Sequence, residues 1–471
     1  MTNSTQNPAQ NQPTPGLRSL SALGLALFLL GALLPIFFGP HAWIAVVRWA
    51  GLAAIASGGW RRSLTYWIFF SMLLGAEIGL DRPAVAEHLR LLSDIFLRLI
   101  KVIVAPLILG TLITGIAGHG NLRSVGRIGL KSLVYFEVVT TIALFIGLAA
   151  INISRAGEGL SMTPPSAAPG APIAAPIVVP AAAPMHWDEF VLHIFPENIA
   201  KSIAENQILQ VAVFAVLFGI ALARISEAKR KPILNFCESL TDTMFSFTNL
   251  VMYFAPFGVG AAMAYTVGHL GISVLLPLLK LLLTGYVALI VFLLAVLLPI
   301  ALIARVPLRR FLKAVAEPAT IAFATSTSEA ALPRAMEEME AFGVPRRIVA
   351  FVIPAGYSFN LDGSTLYLAV ASIFVAQVAG IHLSWSEQLF MLFALMLTSK
   401  GVAGVPRAVL VVLLATAATF HLPTEPIFII LGIDALMDMA RTSVNVIGNC
   451  LASAVIARWE GELTENGSPC S

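Results

Sequence analysis

Charge is what this chain has least of. Asp, Glu, Lys and Arg make up 12% of its 471 residues, against about 25% in ordinary soluble domains. With 58% hydrophobic residues and a mean hydropathy of +0.86, a water-soluble domain is excluded. The chain reads as an all-α polytopic membrane protein with the lipid bilayer as its solvent. Cysteine is scarce as well. Cys237, Cys450 and Cys470 share no metal-like spacing and build no disulfide framework, and the first two read as apolar filler. The net charge of +3 is small, and its cations cluster between hydrophobic segments, so no nucleic-acid partner is expected. A secretory leader is missing too. Residues 1–16 are rich in Asn, Gln, Thr and Pro, without a basic start, and the apolar run after them is long enough to span. That opening stretch reads as a disordered tail.

Hydrophobic runs follow in series. Residues 18–38 and 42–57 form two spans joined at Gly39-Pro40, the second interrupted by Arg48. Further runs cover 63–80, 95–117, 128–153, 204–223, 232–267 and 272–306. The last two exceed the roughly 20 residues needed to cross, so they must tilt or kink, with Pro256 and Pro277 available for kinking, as Pro106 is in an earlier span. Residues 156–185, with Pro164-Pro165 and repeated Ala-Pro, read as an extended external linker without chemistry. Arg61/Arg62, Arg123/Arg127/Lys131, Arg224 with Lys229-Arg230-Lys231, Arg305/Arg309/Arg310 and Arg346-Arg347 mark every second connection. The positive-inside rule makes those connections cytoplasmic and puts both termini on the same side.

The chemistry gathers in the last third. Asp434, Asp438, Arg441 and Asn445 are spaced i, i+4, i+7, i+11, one face of a helix. Apolar residues on both sides make this read as one transmembrane helix with ionisable groups at mid-depth. A charge there costs about 2.5–3.5 kcal/mol on insertion scales, so it faces protein or a water-filled cavity and marks a ligand or ion path. The plainer reading is an Asp438–Arg441 pair that only neutralises itself. Polar, helix-breaking sequence elsewhere in the same half weighs against it.

Thr325-Ser326-Thr327-Ser328-Glu329 interrupts an apolar stretch that leaves where it entered, which predicts a re-entrant hairpin with a hydroxyl-rich tip. Residues 389–422 repeat the pattern around Thr398-Ser399-Lys400-Gly401-Val402-Ala403-Gly404-Val405-Pro406. Between them, Pro354, Gly356 and Gly363 break a span at Asn360-Leu361-Asp362-Gly363-Ser364. Non-helical backbone at membrane depth survives only inside protein or beside water. An unwound helix there exposes carbonyls and half-helix ends suited to ions and charged substrates.

At these residues the sequence resembles the dicarboxylate/amino acid:cation symporters, the glutamate transporter family. The break resembles the Asn-Met-Asp-Gly-Thr signature. The first tip with Ala331-Leu332-Pro333, Ala403-Gly404-Val405-Pro406, and Asp438-Met439-Ala440-Arg441-Thr442 with Asn445 match other signatures in order. The resemblance runs from about Arg62 to Glu460. It implies a homotrimer of eight spans and two hairpins in a bacterial inner membrane, working by an elevator movement, with no cofactor. Residues 1–16 and 461–471 would then be tails and 17–60 an extra hairpin. Residues 61–306 would be mainly scaffold, with two of its helices joining the transport core, 307–460. Arg441 would bind a substrate carboxylate and Asp438 an α-amino group. Asn445, Ser364, Thr442, Ser328 and Val405 would complete the site.

Substrate and coupling stay open on this reading. Arg441 together with Asp438 favours glutamate and aspartate; succinate-like C4-dicarboxylates are the alternative. Asn449 stands where sodium-coupled relatives carry an aspartate, and Phe136 and Val139 where they carry hydroxyls, which favours protons. Glu329 and Glu137 are expected as buried carboxyls and proton carriers, Glu137 equally as a structural acid. If sodium is used, Asn360, Asp362 and Asn445 would hold it. Arg407 stands where relatives usually have glycine, and Val409 where they have a small residue. An intramembrane hydrolase would need a base near the Thr325–Ser328 hydroxyls. His88, His193, His269 and His421 supply none in a Gly-x-Ser-x-Gly-like context. A dedicated channel fits poorly with tips entering from both sides.

Overall fold

The structure, a computed structural model, describes residues 15–38, 42–58, 64–117, 124–160, 192, 195–205, 207–399, 408–420 and 422–464. Among these the chain is helical throughout, without strands. That follows from its solvent, since in hydrocarbon a lone segment satisfies its backbone only by coiling on itself. The Gly39-Pro40 turn, most of the Pro/Ala-rich linker, and the second tip with Val405 and Arg407 lie outside the described residues, as does Cys470.

The chain divides into two compact units. The first comprises Met1–Leu97 and Met252–Val274. In it α1 (Pro15–Phe38) packs along α2 (Ala42–Gly58), α2 meets α3 (Leu64–Asp81), and α3 packs along α9 (Ala255–Leu270). Gly75 and Gly79 of α3 meet Gly260, Ala264 and Gly268 of α9, a small-residue seam of the kind that lets membrane helices approach closely.

The second unit holds Arg98–Val251 and Leu275–Ser471. Its hub is α19 (Asp434–Glu460), against which α5 (Ser124–Ser154), α10 (Leu275–Phe292), α12 (Leu308–Thr325), α13 (Ser328–Phe342), α14 (Arg346–Phe359) and α15 (Asp362–Val378) all pack. Helices α12 and α13 pack against each other as a helical hairpin. Their far ends meet where Phe311 stands edge-on to Phe342, ring centroids 6.1 Å apart, and Arg310 donates to the Phe342 carbonyl at 3.2 Å. The arms of the second hairpin are α16 (Trp385–Thr398) and α17 (Ala408–Thr419). A capping box of Ser384 and Glu387 fixes where α16 begins.

Several expectations need correction. The helix expected from residue 95 starts at Pro83 as α4 (Pro83–Ala117), because proline is well placed in a first turn. The run 232–267 does break at Pro256, as its length required, and what differs is only that it forms two helices, α8 (Glu227–Met252) and α9, with Pro256 in the first turn of α9. Pro277 does not kink its helix. It lies near the start of α10 (Leu275–Phe292), and the irregularity comes later, as a π-helical turn at Leu293–Leu297. There the Leu298 N–H reaches back to the Leu293 carbonyl just ahead of Pro299, which has no N–H to offer Ala295. The linker's first residues are packed rather than solvated. Ala156 is buried, and the Gly157 N–H donates to Gln377 Oε1 at 3.0 Å.

The end of α19 clasps the second unit together. Glu460 pairs with Arg127 and, at 2.7 Å, with Lys131 of α5. Lys131, with Arg127 beside it, holds the Glu460 carboxyl below its ordinary value. Beyond the helix Arg347 pairs with Glu462, and the Thr464 N–H donates to the Gly343 carbonyl at 3.1 Å. Among the described residues four helical runs of 28 to 33 residues are long and apolar enough to span, Pro83–Thr114, Arg127–Ser154, Ile272–Ile303 and Arg346–Val378.

Candidate functional site

The polar stripe does not lie mid-helix. A short helix, α18 (Glu425–Leu431), ends at Gly432, and α19 starts afresh at Asp434. The aspartates thus occupy its first turns, where the helix dipole favours negative charge. Asp434, Asp438, Arg441, Thr442, Asn445 and Asn449 are all buried.

Arg441, 1% exposed, is held from its own helix. Its Nε donates to Asp438 Oδ1 at 3.0 Å and its Nη1 to Asp434 Oδ1 at 3.0 Å. Its Nη2 stands 2.8 Å from Asp438 Oδ1 but is poorly aligned and makes no hydrogen bond. The guanidinium lies over the Tyr367 ring, 4.9 Å from its centroid. Thr442 Oγ1 donates to Asp438 Oδ1 at 3.4 Å. The simple Asp438–Arg441 pair is therefore incomplete. A second aspartate anchors the arginine, and Nη2, though ion-paired with Asp438, makes no hydrogen bond among the described residues.

The break between α14 and α15 supplies the facing wall. Asn360 and Leu361 leave helical geometry, with ψ of 65° and 61°. Asn445 Oδ1 accepts from the N–H groups of Gly363, at 2.8 Å, and Ser364, at 3.2 Å. Its Nδ2 donates to Ser364 Oγ at 2.9 Å. One side chain of α19 thus satisfies two first-turn donors of α15 that have no intrahelical partner. Asn360 Nδ2 donates to Asp362 Oδ2 at 3.1 Å and to Asn449 Oδ1 at 3.0 Å. Asn360 Oδ1 and Asn449 Nδ2 are buried with no hydrogen-bond partner among the described residues. Two glycines permit this approach. A Cβ at Gly363 would meet the Arg441 backbone, and one at Gly448 the Asp362 carboxylate.

The hairpin tip turns at Ser326, in the left-handed region with φ 54°. Ser328 is buried, its Oγ without a partner among the described residues. Ser443 of α19 donates to the Ala319 carbonyl of α12 at 3.0 Å, fastening the hairpin to the hub. Glu329, expected buried, lies near buried Tyr357 yet keeps accessible surface, because successive helical residues point about 100° apart and Ser328 takes the fully inward direction. Glu137, also expected buried, is only partly so. Phe136 and Val139 are buried apolar packing. The structure therefore brings Arg441, Asp438 and Thr442 together, joins Asn445 to Ser364, and groups Asn360, Asp362 and Asn449. Sequence reasoning assigned no role to Asp434 or Tyr367. Asp434 was visible as a member of the stripe, whereas Tyr367 carries no signal in its spacing.

A buried charged cluster beside a broken helix, inside a helical membrane protein, defines a secondary transporter. The model of the sodium:dicarboxylate symporter family matches residues 64–459. Over 406 residues, 85% of this chain, it is 43% identical to the proton/sodium-glutamate symport protein of Bacillus caldotenax, covering 96% of that protein. It is 40% identical to the proton/glutamate-aspartate symporter of Escherichia coli, over 84% of this chain and 93% of that one. It is 41% identical to a C4-dicarboxylate transport protein of Burkholderia ambifaria, over 85% and 92% respectively. The chain belongs to the sodium:dicarboxylate symporter family.

Proposed function

We propose that this protein imports acidic amino acids, glutamate and aspartate, together with protons. The observation that carries the reading is the buried Arg441 guanidinium beside Asp438, whose Nη2 is ion-paired there but makes no hydrogen bond among the described residues. A guanidinium has five N–H donors in a fixed fork. Those left free suit a side-chain carboxylate, held in two-point fashion, while Asp438 accepts from an α-amino group. Asn445, Ser364 and Thr442 would complete the site, with Ser328 and Val405 contributed by the two tips.

Charge supports cation coupling. Asp434 and Asp438 pair with the Arg441 guanidinium, and Asp362 is buried in the same unit beside Asn360, leaving two excess negative charges when all are ionised. An acidic amino acid adds a third. Buried charge of one sign is prohibitive without partners, so cations must enter with the substrate. Asn360, Asp362 and Asn449 form the polar group next to the break where a proton, or a sodium ion with Asn445, would act. Glu329 and Glu137 remain proton-carrier proposals on position rather than on burial. The homotrimer, the elevator movement, the scaffold of 61–306 with its transport core of 307–460, and cytoplasmic termini in a bacterial inner membrane belong to this reading.

A second reading, C4-dicarboxylate import, draws on the 41% identity to the Burkholderia protein so named. Uptake of labelled glutamate into proteoliposomes decides between them. The conditions are an imposed inward proton gradient, sodium absent, and aspartate or succinate as competitors. Uptake abolished by a protonophore and resistant to succinate supports acidic amino acid–proton symport. Dependence on added sodium refutes the coupling, and strong competition by succinate refutes the role of Asp438.

A further inference from the structure

Helices α1 and α2 precede the residues matched by the family model, which begin at 64. The Bacillus caldotenax relative has 96% of its length inside the alignment, which leaves no room for two more helices. This pair is nevertheless built into the first unit. Arg48 of α2 aims its Nε at both carboxylate oxygens of Glu77 on α3, at 2.8 and 2.9 Å, and its Nη2 at Asp81 Oδ1, at 3.1 Å. Trp49 Nε1 donates to the other Asp81 oxygen at 2.8 Å. The Glu77 side chain is 1% exposed and that of Arg48 13%. Gly31 of α1 lies against the Arg48 stem, where a Cβ would collide with it. At the other end of the seam, Tyr66 donates to the Ile55 carbonyl at 2.6 Å. Between the two, Phe28, Leu52 and Ile55 pack on Phe70, Leu73 and Leu74.

We infer that the edge of α3 bearing Glu77 and Asp81 is a receptor face for an arginine-bearing transmembrane hairpin, filled here in cis by residues 15–58. Greasy contact alone fixes neither register nor partner within a bilayer, because lipid tails are as apolar as leucine. A buried pair with its remaining oxygens hydrogen-bonded does both, and removing one member strands the other as an unpartnered charge. The hairpin acts as a tethered accessory subunit, and Arg48 is the counter-ion that makes Glu77 tolerable inside the membrane.

The test is a double-mutant cycle on the full-length protein, reading thermal unfolding in detergent and the amount of folded protein recovered from membranes. Arg48→Gln lowers Tm by roughly 5 °C or more and cuts recovery. Adding Glu77→Gln, which removes the stranded charge, restores at least about half of that loss, although it removes a second native side chain. Asp81 keeps Trp49 and solvent in both variants. If Arg48→Gln is too unstable to purify, rescue of recovery by the second substitution still reads the coupling. Independent, additive losses overturn the inference, as does an Arg48→Gln protein with unchanged Tm and recovery.

Discussion

Substituting Asn445 by alanine tests how the helix break is held open. The side chain makes three hydrogen bonds there, two accepted from the Gly363 and Ser364 N–H groups and one donated to Ser364 Oγ. At about 1 kcal/mol net for each bond, the start of α15 loses roughly 3 kcal/mol. Each buried N–H left without an acceptor adds further to that. Since 1.4 kcal/mol is a factor of ten, local opening should become at least about a hundredfold more frequent. Hydrogen–deuterium exchange followed by mass spectrometry on peptides covering 361–366 measures this directly. Asn445→Asp is the informative companion, because it keeps an oxygen for both N–H groups but adds a fourth carboxylate to an already negative region. Protection at Gly363 and Ser364 should survive in the aspartate variant while uptake falls. Exchange in Asn445→Ala within about threefold of the parent would refute the view that α19 props the break open.

Arg441→Lys keeps the charge but loses the planar fork. The KM for glutamate uptake should rise by about ten- to a hundredfold, with folded yield close to the parent's, and an unchanged KM would remove Arg441 from the substrate. Gly448→Ala pushes a methyl group into the Asp362 carboxylate. Overpacking of this kind costs about 1–3 kcal/mol, and the dependence of uptake on the driving cation should weaken along with Tm. The Glu460 carboxyl lies below its ordinary value of 4.5, owing to Lys131 and Arg127. Its stabilisation is therefore fully present above pH 4.5 and is lost as pH falls through the lower, folded value. The Tm difference between the parent and Glu460→Gln should be constant near neutrality and shrink below pH 4.5, and a constant difference down to pH 3 would refute the pairing.

Much of the second unit was legible because a bilayer leaves few options. Any polar residue inside an apolar run had to mark a break, a tip or a buried site, and the stripe on α19, the hairpin tip at Ser326 and the break at Asn360 all follow from that constraint. What escaped depended on contacts distant in sequence or on local backbone choices. The stripe's spacing placed Asp434 on the right face, but its hold on Arg441 came with a helix break at Gly432–Ile433 that apolar sequence on both sides concealed. The π-helical turn ahead of Pro299 and the break before Pro256 show the same limit. A proline announces irregularity nearby without fixing which residue absorbs it. The degree to which single acids are buried escaped for a simpler reason. Ser328 and Glu329 are neighbours, and only the fold decides which of them turns inward.

The hydrogen bond from Asn360 to Asn449 joins residues 89 positions apart, and this imposes a schedule on the protein's own manufacture. At roughly 5–20 residues per second, the ribosome needs about 4–18 seconds after making Asn360 before its partner exists. Throughout that interval the nascent chain holds an interrupted, polar segment in or beside the insertion machinery with its complement still unmade. Premature termination anywhere before α19 yields a protein with an open backbone break and no means of closing it, a ready mark for membrane proteases. The residues that complete the site are thus also the last check on a finished chain.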